Sequence, residues 1–234
     1  MGVLLEVTVA HERDVAGAQE GGADRLHVVG ASEGQHALSP EITTVSAIGR
    51  ETDLPVFVLL RLNDSWTTTG GELTRLVGLA EDYLSIGAAG VSFGFLDADT
   101  EIDTEVCTHL ATSLPNVPWT FHRAVDDTLE PRRAWRALLG LPGLRHVQSA
   151  GSPRGMTEGY DDLLAAAESD PAIARLLMPG GGLLAEQVPW LVRTGVRAFH
   201  VGPQVRPGGS AKAYVDAALT RSWRLLLDSA VERI

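Results

Sequence analysis

The chain has 234 residues, a length that suits one compact domain, and 44% hydrophobic and 21% charged residues, as in ordinary globular proteins. Its formal net charge of −11 argues against a sequence-independent nucleic-acid binder and against attachment to anionic membranes, both of which need a basic surface. The charge leaves room for a small anionic substrate, because a site can be locally positive in an acidic protein.

Cellular location is indicated by weak signals that agree. No apolar run approaches the roughly 18 residues of a membrane helix. Met1 leads into a predicted strand without the basic segment of a signal peptide. Cys107 is the only cysteine, so no intrachain disulfide can form. We expect a cytoplasmic protein that binds neither nucleic acid nor membrane.

Eight short apolar runs recur along the chain, most of them followed by a helical pattern. The predicted strands are Val3–Val9, Arg25–Val29, Val56–Leu60, Gly90–Phe95, Pro118–His122, His146–Ser149, Arg175–Met178 and Ala198–Val201. The predicted helices are Glu12–Glu20, Glu72–Ile86, Arg132–Leu139, Asp161–Glu168, Glu186–Arg193 and Lys212–Arg224. This alternation predicts βαβ units and a parallel sheet.

Eight strands without a linker or low-complexity segment predict one (β/α)8 TIM barrel over residues 1–234. A doubly wound open sheet is the alternative α/β fold. It usually has a glycine-rich turn after its first strand, whereas residues 10–14 here contain no glycine. The sequence therefore favours the barrel.

Functional residues of such a barrel come from the C-terminal ends of its strands and the loops that follow. The candidates there are Glu6, His27, Arg61, Asp97, His122, Arg123, Ser149, Gly180, Gly181, Gly182, His200 and Gly202. Several lie in apolar strands, where an unpaired polar side chain is costly to bury.

Each candidate also has a purely structural interpretation. Glu6 could form a buried ion pair with Arg61 or Arg123, and His27 could point outward to a helix. His122 and Arg123 are adjacent, so only one can point into the barrel. Asp97 begins an acidic loop whose spacing is similar to a calcium loop, but the glycine and final Glu of that motif are missing.

The run Gly180–Gly182 follows the seventh strand and precedes a predicted helix. Bare backbone in this position can present N–H groups to phosphate, and the seventh and eighth loops hold phosphate in many barrels. A tight turn that needs glycine is an equal alternative. Gly202 after the eighth strand adds support for the phosphate site.

A metal site is another hypothesis. Glu6, His27, His122 and His200 offer carboxylate and imidazole ligands suited to zinc or copper(II), with His122 and His200 as the metal candidates. Ligation by all four is demanding, because the fifth strand lies across the barrel from the first, second and eighth. Copper(I) prefers sulfur ligands, but Cys107 is predicted on a helix away from the mouth, and the methionines form no spaced cluster.

The sequence resembles the CutC copper-homeostasis family from about residue 3 to residue 205. The matching segments are Leu5-Glu6, Gly22–Leu26, the Gly34–Pro40 loop, Leu60-Arg61, Phe95–Asp99, Thr120–Asp126, Gln148–Gly151, Met178–Gly182 and Phe199–Gly202. The resemblance implies a barrel fold, a cytoplasmic location, a role in copper tolerance and copper as a bound metal. It does not imply a particular reaction.

Four departures from the family pattern argue against thiolate copper binding and indicate a divergent substrate. Leu26-His27-Val28 stands where the family has Val-Glu-Leu, and residues 61–65 replace Arg-Pro-Arg-Gly-Gly. Asp99-Thr100 replaces Asp-Gly. Thr8-Val9 replaces the cysteines of some members.

Two functional hypotheses remain open. In the first, the protein handles copper directly and binds it through histidines. In the second, it is an enzyme for a small phosphorylated or carboxylated substrate. His122 and Glu6 would then act as acid and base, Arg61 and Arg123 would hold the anion, and Gly180–Gly182 would cradle phosphate. Trp135 and Trp190 are candidates for a homo-oligomer interface or for packing against the barrel.

Overall fold

In the computed structural model of the protein, residues 2–30 and 36–233 are described. Met1 and Gly34, which belong to the terminus and the loop discussed above, lie outside them. The strands are β1 Leu4–Val9, β2 Arg25–Val28, β3 Val56–Leu59, β4 Gly90–Phe93, β5 Trp119–Phe121, β6 Leu144–Ser149, β7 Leu177–Pro179 and β8 Ala198–Val201.

The strands form one parallel sheet in the order β7-β6-β5-β4-β3-β2-β1-β8. β1 pairs with both β2 and β8, with Glu6 in register with Arg25 on one side and His200 on the other. β7 and β8 lie side by side, although the described residues show no hydrogen-bonded ladder between them. The predicted (β/α)8 fold is confirmed as a nearly closed barrel.

Helices connect the strands and cover the outside of the barrel. They are α1 Arg13–Glu20, α2 Ile42–Arg50, α3 Gly70–Ser85, α4 Thr104–Ser113, α5 Pro131–Leu139, α6 Met156–Ser169, α7 Pro171–Leu176, α8 Val188–Arg193 and α9 Ala217–Glu232. α9 packs against α1 and α8. No helix in the described part of the chain is both long and apolar enough to cross a membrane.

Some predicted bounds were wrong for local reasons. Arg175, predicted in the seventh strand, lies in α7, which begins at Pro171 because the Asp170 side chain accepts a hydrogen bond from Ala172 N. The last helix starts at Ala217 rather than Lys212, with Asp216 as its cap. α2 was not predicted.

The two faces of several strands differ in polarity. Alternate residues such as Leu5, Leu26 and Phe199 point to the helices and join the apolar core. Their neighbours Glu6, Arg25 and His200 are buried too, but they contact one another inside the barrel. The outside of the sheet is therefore apolar, whereas its inside combines polar side chains with apolar ones such as Phe57 and Met178, and the polar ones form the candidate site.

The two tryptophans proposed for an oligomer interface have different environments. Trp135 on α5 is buried, so it packs within the protein and is not free for an interface. Trp190 on α8 is 54% exposed, with Arg193 over its ring. A homo-oligomer contact through Trp190 stays a prediction.

Candidate functional site

A buried ion pair crosses the first two strands of the barrel. Arg25 Nε donates to Glu6 Oε2 at 2.5 Å, and both side chains are almost fully buried. Arg25 also lies 4.0 Å above the Phe57 ring, and its Nη2 is 3.5 Å from Thr120 Oγ1 and from Met178 Sδ. Arg61 or Arg123 was predicted from the sequence as the ion-pair partner of Glu6, and this prediction was wrong. Arg25 takes that role because it is in register with Glu6 on the neighbouring strand.

The second oxygen of Glu6 is held by the eighth strand. His200 Nδ1 lies 2.7 Å from Glu6 Oε1, and His200 Nε2 lies 2.7 Å from Thr8 Oγ1. Thr8 is half-buried, one inward position beyond Glu6 along β1. These contacts form a continuous chain from carboxylate to imidazole to hydroxyl. Glu6, Thr8, Arg25 and His200 are called the Glu6 cluster below.

His27 points into the barrel rather than to a helix. Its Nε2 lies 2.6 Å from Ser92 Oγ, and its ring is 5.5 Å from the His200 ring. Glu6, His27 and His200 each offer a ligand atom, and these atoms lie within 4.8 Å of one another. Among the described residues this is the only such group, and it does not include His122. The structure therefore brings together three of the four proposed ligands, as expected from the neighbouring positions of β1, β2 and β8.

Charge and burial act in opposite directions on these groups. Burial alone would raise the pKa of Glu6, but Arg25 and His200 outweigh it and hold that pKa well below its usual value. Burial lowers the pKa of His27 to about 4, although Glu6 opposes the shift. At neutral pH, Glu6 is therefore ionised and His27 is a neutral imidazole.

A second polar group lies around β3 and β5. His122 follows β5, and its Nδ1 accepts a hydrogen bond of 3.2 Å from Ala124 N. Arg61 follows β3, and its Nη2 donates to Ser65 O at 3.2 Å. The Trp66 ring contacts both: its centre is 3.9 Å from Arg61 Cζ and 5.0 Å from the His122 ring. Arg61, Trp66 and His122 are called the Arg61 pocket below.

The Arg61 pocket contains two buried donors without acceptors. Within the described part of the chain, Arg61 Nε and His122 Nε2 have no hydrogen-bond partner. Arg61 is 3% exposed and His122 is 5% exposed. Burial and the Arg61 charge hold the pKa of His122 well below its usual value, and burial lowers the pKa of Arg61 to about 10.

Arg123 and Ser149 meet at a buried carboxylate that sequence reasoning did not single out as a site residue. Asp126 Oδ2 accepts from Arg123 Nε at 2.7 Å, and Asp126 Oδ1 accepts from Ser149 Oγ at 2.6 Å. The N–H groups of Ala150 and Gly151 also donate to Asp126. Burial raises the pKa of Asp126 despite Arg123. This arrangement ties the loop after β5 to the loop after β6.

The glycine loop, Gly180–Gly182, contains two residues in the left-handed backbone region that favours glycine, Gly181 at φ 80° and Gly182 at φ 96°. A Cβ on Gly181 would come within 2.7 Å of Arg123 Cζ, so the guanidinium lies directly on the loop. Gly180 N donates to Ser149 O at 3.0 Å, and Gly202 N donates to Gln204 Oε1 at 3.0 Å. These two N–H groups are thus already used inside the protein. Arg123 lies beside the loop and is itself paired, through Nε with Asp126 and through Nη2 with Ser152 O at 3.1 Å.

Asp97 has a local structural contact. Its Oδ1 accepts from Asp99 N at 2.9 Å and from Glu101 N at 3.0 Å, which closes its own loop. Aspartate commonly stabilises turns in this way. None of its contacts within the described residues joins it to the Glu6 cluster or to the Arg61 pocket.

Sequence reasoning did not propose Arg25, Ser92 or Trp66 as site residues. Arg25 precedes His27 by two residues on the same strand, so strand alternation alone places both on one face. Ser92 is an inward polar residue in an otherwise apolar strand, and this signal was also readable. Trp66 lies in an irregular loop, where no period in the sequence indicates which way a ring points.

Comparison with known proteins places the chain in a family. The model of the CutC family matches residues 3–205. This chain belongs to the CutC family. A human protein named copper homeostasis protein cutC homolog is 32% identical over 85% of this chain and 72% of its own length. A CutC family protein of Xylella fastidiosa is 30% identical over 84% of this chain and 73% of its own length.

Solved structures support the fold. A CutC protein of Streptococcus agalactiae superposes with a TM-score of 0.73 at 18% identity, covering 86% of this chain and 98% of that one. Phosphoribosyl anthranilate isomerase of Thermus thermophilus superposes with a TM-score of 0.64 at 17% identity, covering 97% and 98% of the two chains. At such identities the likeness concerns the barrel alone.

Proposed function

We propose that this protein acts in copper homeostasis by binding a copper ion inside the barrel at Glu6, His27 and His200. A role in copper homeostasis is supported by membership of the CutC family and by the names of the relatives. The observation that carries the site is the grouping of one carboxylate and two imidazoles within 4.8 Å, all buried. We also propose a cytoplasmic location, which is supported by the single, unpaired Cys107.

The residues fit copper in one specific respect. His27 Nδ1 is buried without a hydrogen-bond partner in the described part of the chain, while Nε2 is held by Ser92. Because the pKa of His27 is about 4, its ring has no proton to lose before it binds a metal at neutral pH. An oriented neutral imidazole with an unused nitrogen is a good first ligand.

The donor set favours copper(II) over copper(I). Two imidazole nitrogens and a carboxylate oxygen suit copper(II), whereas copper(I) prefers thiolate or thioether. Cys107 is buried on α4, and burial raises the pKa of its thiol to about 12, so it is not a ready thiolate. Met178 Sδ contacts the guanidinium of Arg25, with 3.5 Å between the sulfur and Nη2.

Arg25 limits the affinity of the proposed site. It already neutralises Glu6 at 2.5 Å, so a divalent ion would bring two further positive charges next to a buried guanidinium. The ion would also take the place of the proton shared between His200 Nδ1 and Glu6 Oε1. Copper must therefore compete with existing partners, and Arg25→Met should tighten its binding.

The test is a competition titration of tag-free protein with copper(II), and separately with copper(I), against a chelator of known affinity. We expect one copper(II) per chain, with binding reduced at least 100-fold in His27→Ala and in His200→Ala. His109→Ala on the exposed face of α4 is the matched control and should bind as the parent does. His122→Ala tests the sequence-based prediction that His122 and His200 are the metal ligands. Because His122 is not among the three grouped residues Glu6, His27 and His200, we expect this variant to change copper affinity only slightly.

Two results would count against the copper site. Binding no tighter than that of an unrelated acidic protein would exclude a built copper site. Equal loss in His109→Ala would show that copper binds to scattered surface imidazoles.

A second candidate function is favoured by the chain from Glu6 through His200 to Thr8. A carboxylate that orients an imidazole, which in turn contacts a half-buried hydroxyl, is an arrangement used for general acid–base catalysis. In this function the protein is an enzyme for a small phosphorylated or carboxylated substrate, with Arg123 beside the glycine loop as an anion contact.

Depletion of a panel of such metabolites by the purified protein tests the second function. Any turnover should fall at least 100-fold in His200→Ala and in Glu6→Gln, whereas Arg154→Met on the surface should retain it. Turnover that survives in His200→Ala would come from a contaminant or from another site.

A further inference from the structure

The Arg61 pocket shares no residue with the proposed copper ligands, and its positive charge is only loosely paired. Arg61 is as buried as Arg25, but its ion-pair partner differs. Arg25 has the buried Glu6 at 2.5 Å, whereas Arg61 Nη2 is 3.8 Å from Asp64 Oδ1, and the Asp64 side chain is 47% exposed. A loose pair with a solvated carboxylate compensates a buried guanidinium poorly.

Hydrogen bonding determines which nitrogen of His122 carries the proton. Nδ1 accepts from the N–H of Ala124, so Nδ1 has the lone pair and the neutral ring is protonated on Nε2. The low pKa of His122, caused by burial and by Arg61, keeps the ring neutral. The unpartnered Nε2 is thus an N–H donor.

Arg61 Nε and His122 Nε2 are therefore two buried N–H donors that lack an acceptor among the described residues. Both side chains lie against the same indole, that of Trp66. Leaving a buried donor unsatisfied is destabilising, and native proteins rarely do so without a reason. Two such donors beside one positive charge are suited to an acceptor that is negatively charged.

We propose that Arg61 Nε and His122 Nε2 bind one oxyanion, the carboxylate or phosphate group of a small molecule, beneath the Trp66 side chain. The site is independent of the copper proposal. It would also define the substrate class of the second candidate function. Because the test measures binding, it can fail or succeed whether or not any turnover is found.

The Trp66 indole packs against both donor side chains. Both donor atoms are shielded from solvent, while the Trp66 side chain is half-buried. The backbone of Trp66 is anchored, since its carbonyl accepts from Leu96 N at 2.8 Å.

The experiment is an NMR titration of metal-free protein labelled with ¹⁵N-histidine, using inorganic phosphate in one series and acetate in another. Sodium chloride keeps the ionic strength constant, so that general screening does not change. We expect a saturable shift of the Nε2 signal of His122, which is assigned by its disappearance in His122→Asn. Saturation by phosphate, by acetate or by both supports the site and tells which oxyanion it prefers.

Variants distinguish a built site from general attraction of anions. Arg61→Met should weaken the binding at least tenfold, because a charge-assisted hydrogen bond is lost. Arg61→Lys, which keeps the charge without the Nε–H, should weaken it by a smaller factor and guards against misfolding of the methionine variant. Arg154→Met removes a charge whose side chain is 79% exposed and should change the affinity less than twofold.

Two outcomes would overturn the proposal. One is the absence of a saturable shift with both anions, which would mean that the two donors are satisfied by water. The other is equal weakening by Arg154→Met and Arg61→Met, which would mean that the anions respond only to the net charge of the protein.

Discussion

The Glu6 cluster and the Arg61 pocket each bury one arginine and one histidine, but the two regions differ in how completely the nitrogens of these side chains are hydrogen-bonded. In the Glu6 cluster the arginine is paired at 2.5 Å, and both nitrogens of His200 have partners. In the Arg61 pocket one nitrogen of each side chain has no partner within the described residues. A satisfied network holds the barrel in one arrangement, whereas unsatisfied donors reduce stability and point to a ligand.

The largest expected change in the free energy of unfolding comes from removing the negative charge of the Glu6 cluster. Glu6→Gln keeps the shape of the side chain but leaves the buried Arg25 guanidinium without a counter-charge. Breaking a buried pair from one side typically costs about 3–5 kcal/mol. We expect a decrease of this size in the free energy of unfolding, measured with urea at neutral pH.

The double variant Glu6→Gln with Arg25→Met is the control for that interpretation. Methionine can still pack on Phe57, and the buried charge is gone. We expect the double variant to recover at least half of the lost stability. If it is as unstable as Glu6→Gln alone, the loss comes from packing or from the contact with His200 rather than from the unpaired arginine.

The next largest effect is a loss of stability at acid pH, caused by His146, whose pKa is affected by the Arg25 charge of the Glu6 cluster. Burial, helped by the Arg25 charge, lowers the pKa of His146 on β6 to about 4. Because the unfolded chain takes up this proton near pH 6.5, stability is lost as the pH falls from about 6.5 to about 4. The loss attributable to this one residue is about 3 kcal/mol over the whole window.

Urea unfolding at pH 7.5 and at pH 4.5 checks this expectation in the parent and in His146→Gln. The values at pH 7.5 account for any change in packing, so only the difference between the two pH values is compared. The variant should lose about 2–3 kcal/mol less than the parent on acidification. An equal loss in both proteins would mean that other groups, such as His27, control the acid response.

The barrel could be predicted from the sequence because its strands are covered on both sides. The run Val56–Leu59 is apolar throughout, and Ala198–Val201 is apolar except for His200. Repeated short runs of this kind are typical of a parallel sheet under helices. The ends of helices were less predictable. Asp170 and Asp216 set the starts of α7 and α9 through side-chain caps, which outweighed the apolar pattern on which the prediction relied.

The site was predictable where the strand register decides which residues meet. Glu6 and His200 were both candidates, and pairing of β1 with β8 brings them together. The partner of Glu6 was not predicted, because Arg25 at the beginning of β2 looked like an ordinary strand end. Asp97 was proposed for the site, but its loop uses the carboxylate locally, and sequence spacing does not distinguish these two uses.

The smallest effect is expected in the Arg61 pocket, at His122. Asparagine at this position can still accept a hydrogen bond from Ala124 N as a helix cap, while it removes the buried donor Nε2. Loss of the ring contact with Trp66 and removal of an unsatisfied donor act in opposite directions. We therefore expect His122→Asn to change the free energy of unfolding by less than about 1 kcal/mol in either direction. His122→Ala, which also loses the cap, should be about 1 kcal/mol less stable than His122→Asn. A loss above about 2 kcal/mol in His122→Asn would show that Nε2 is satisfied in solution, and the contrast between the two regions would then disappear.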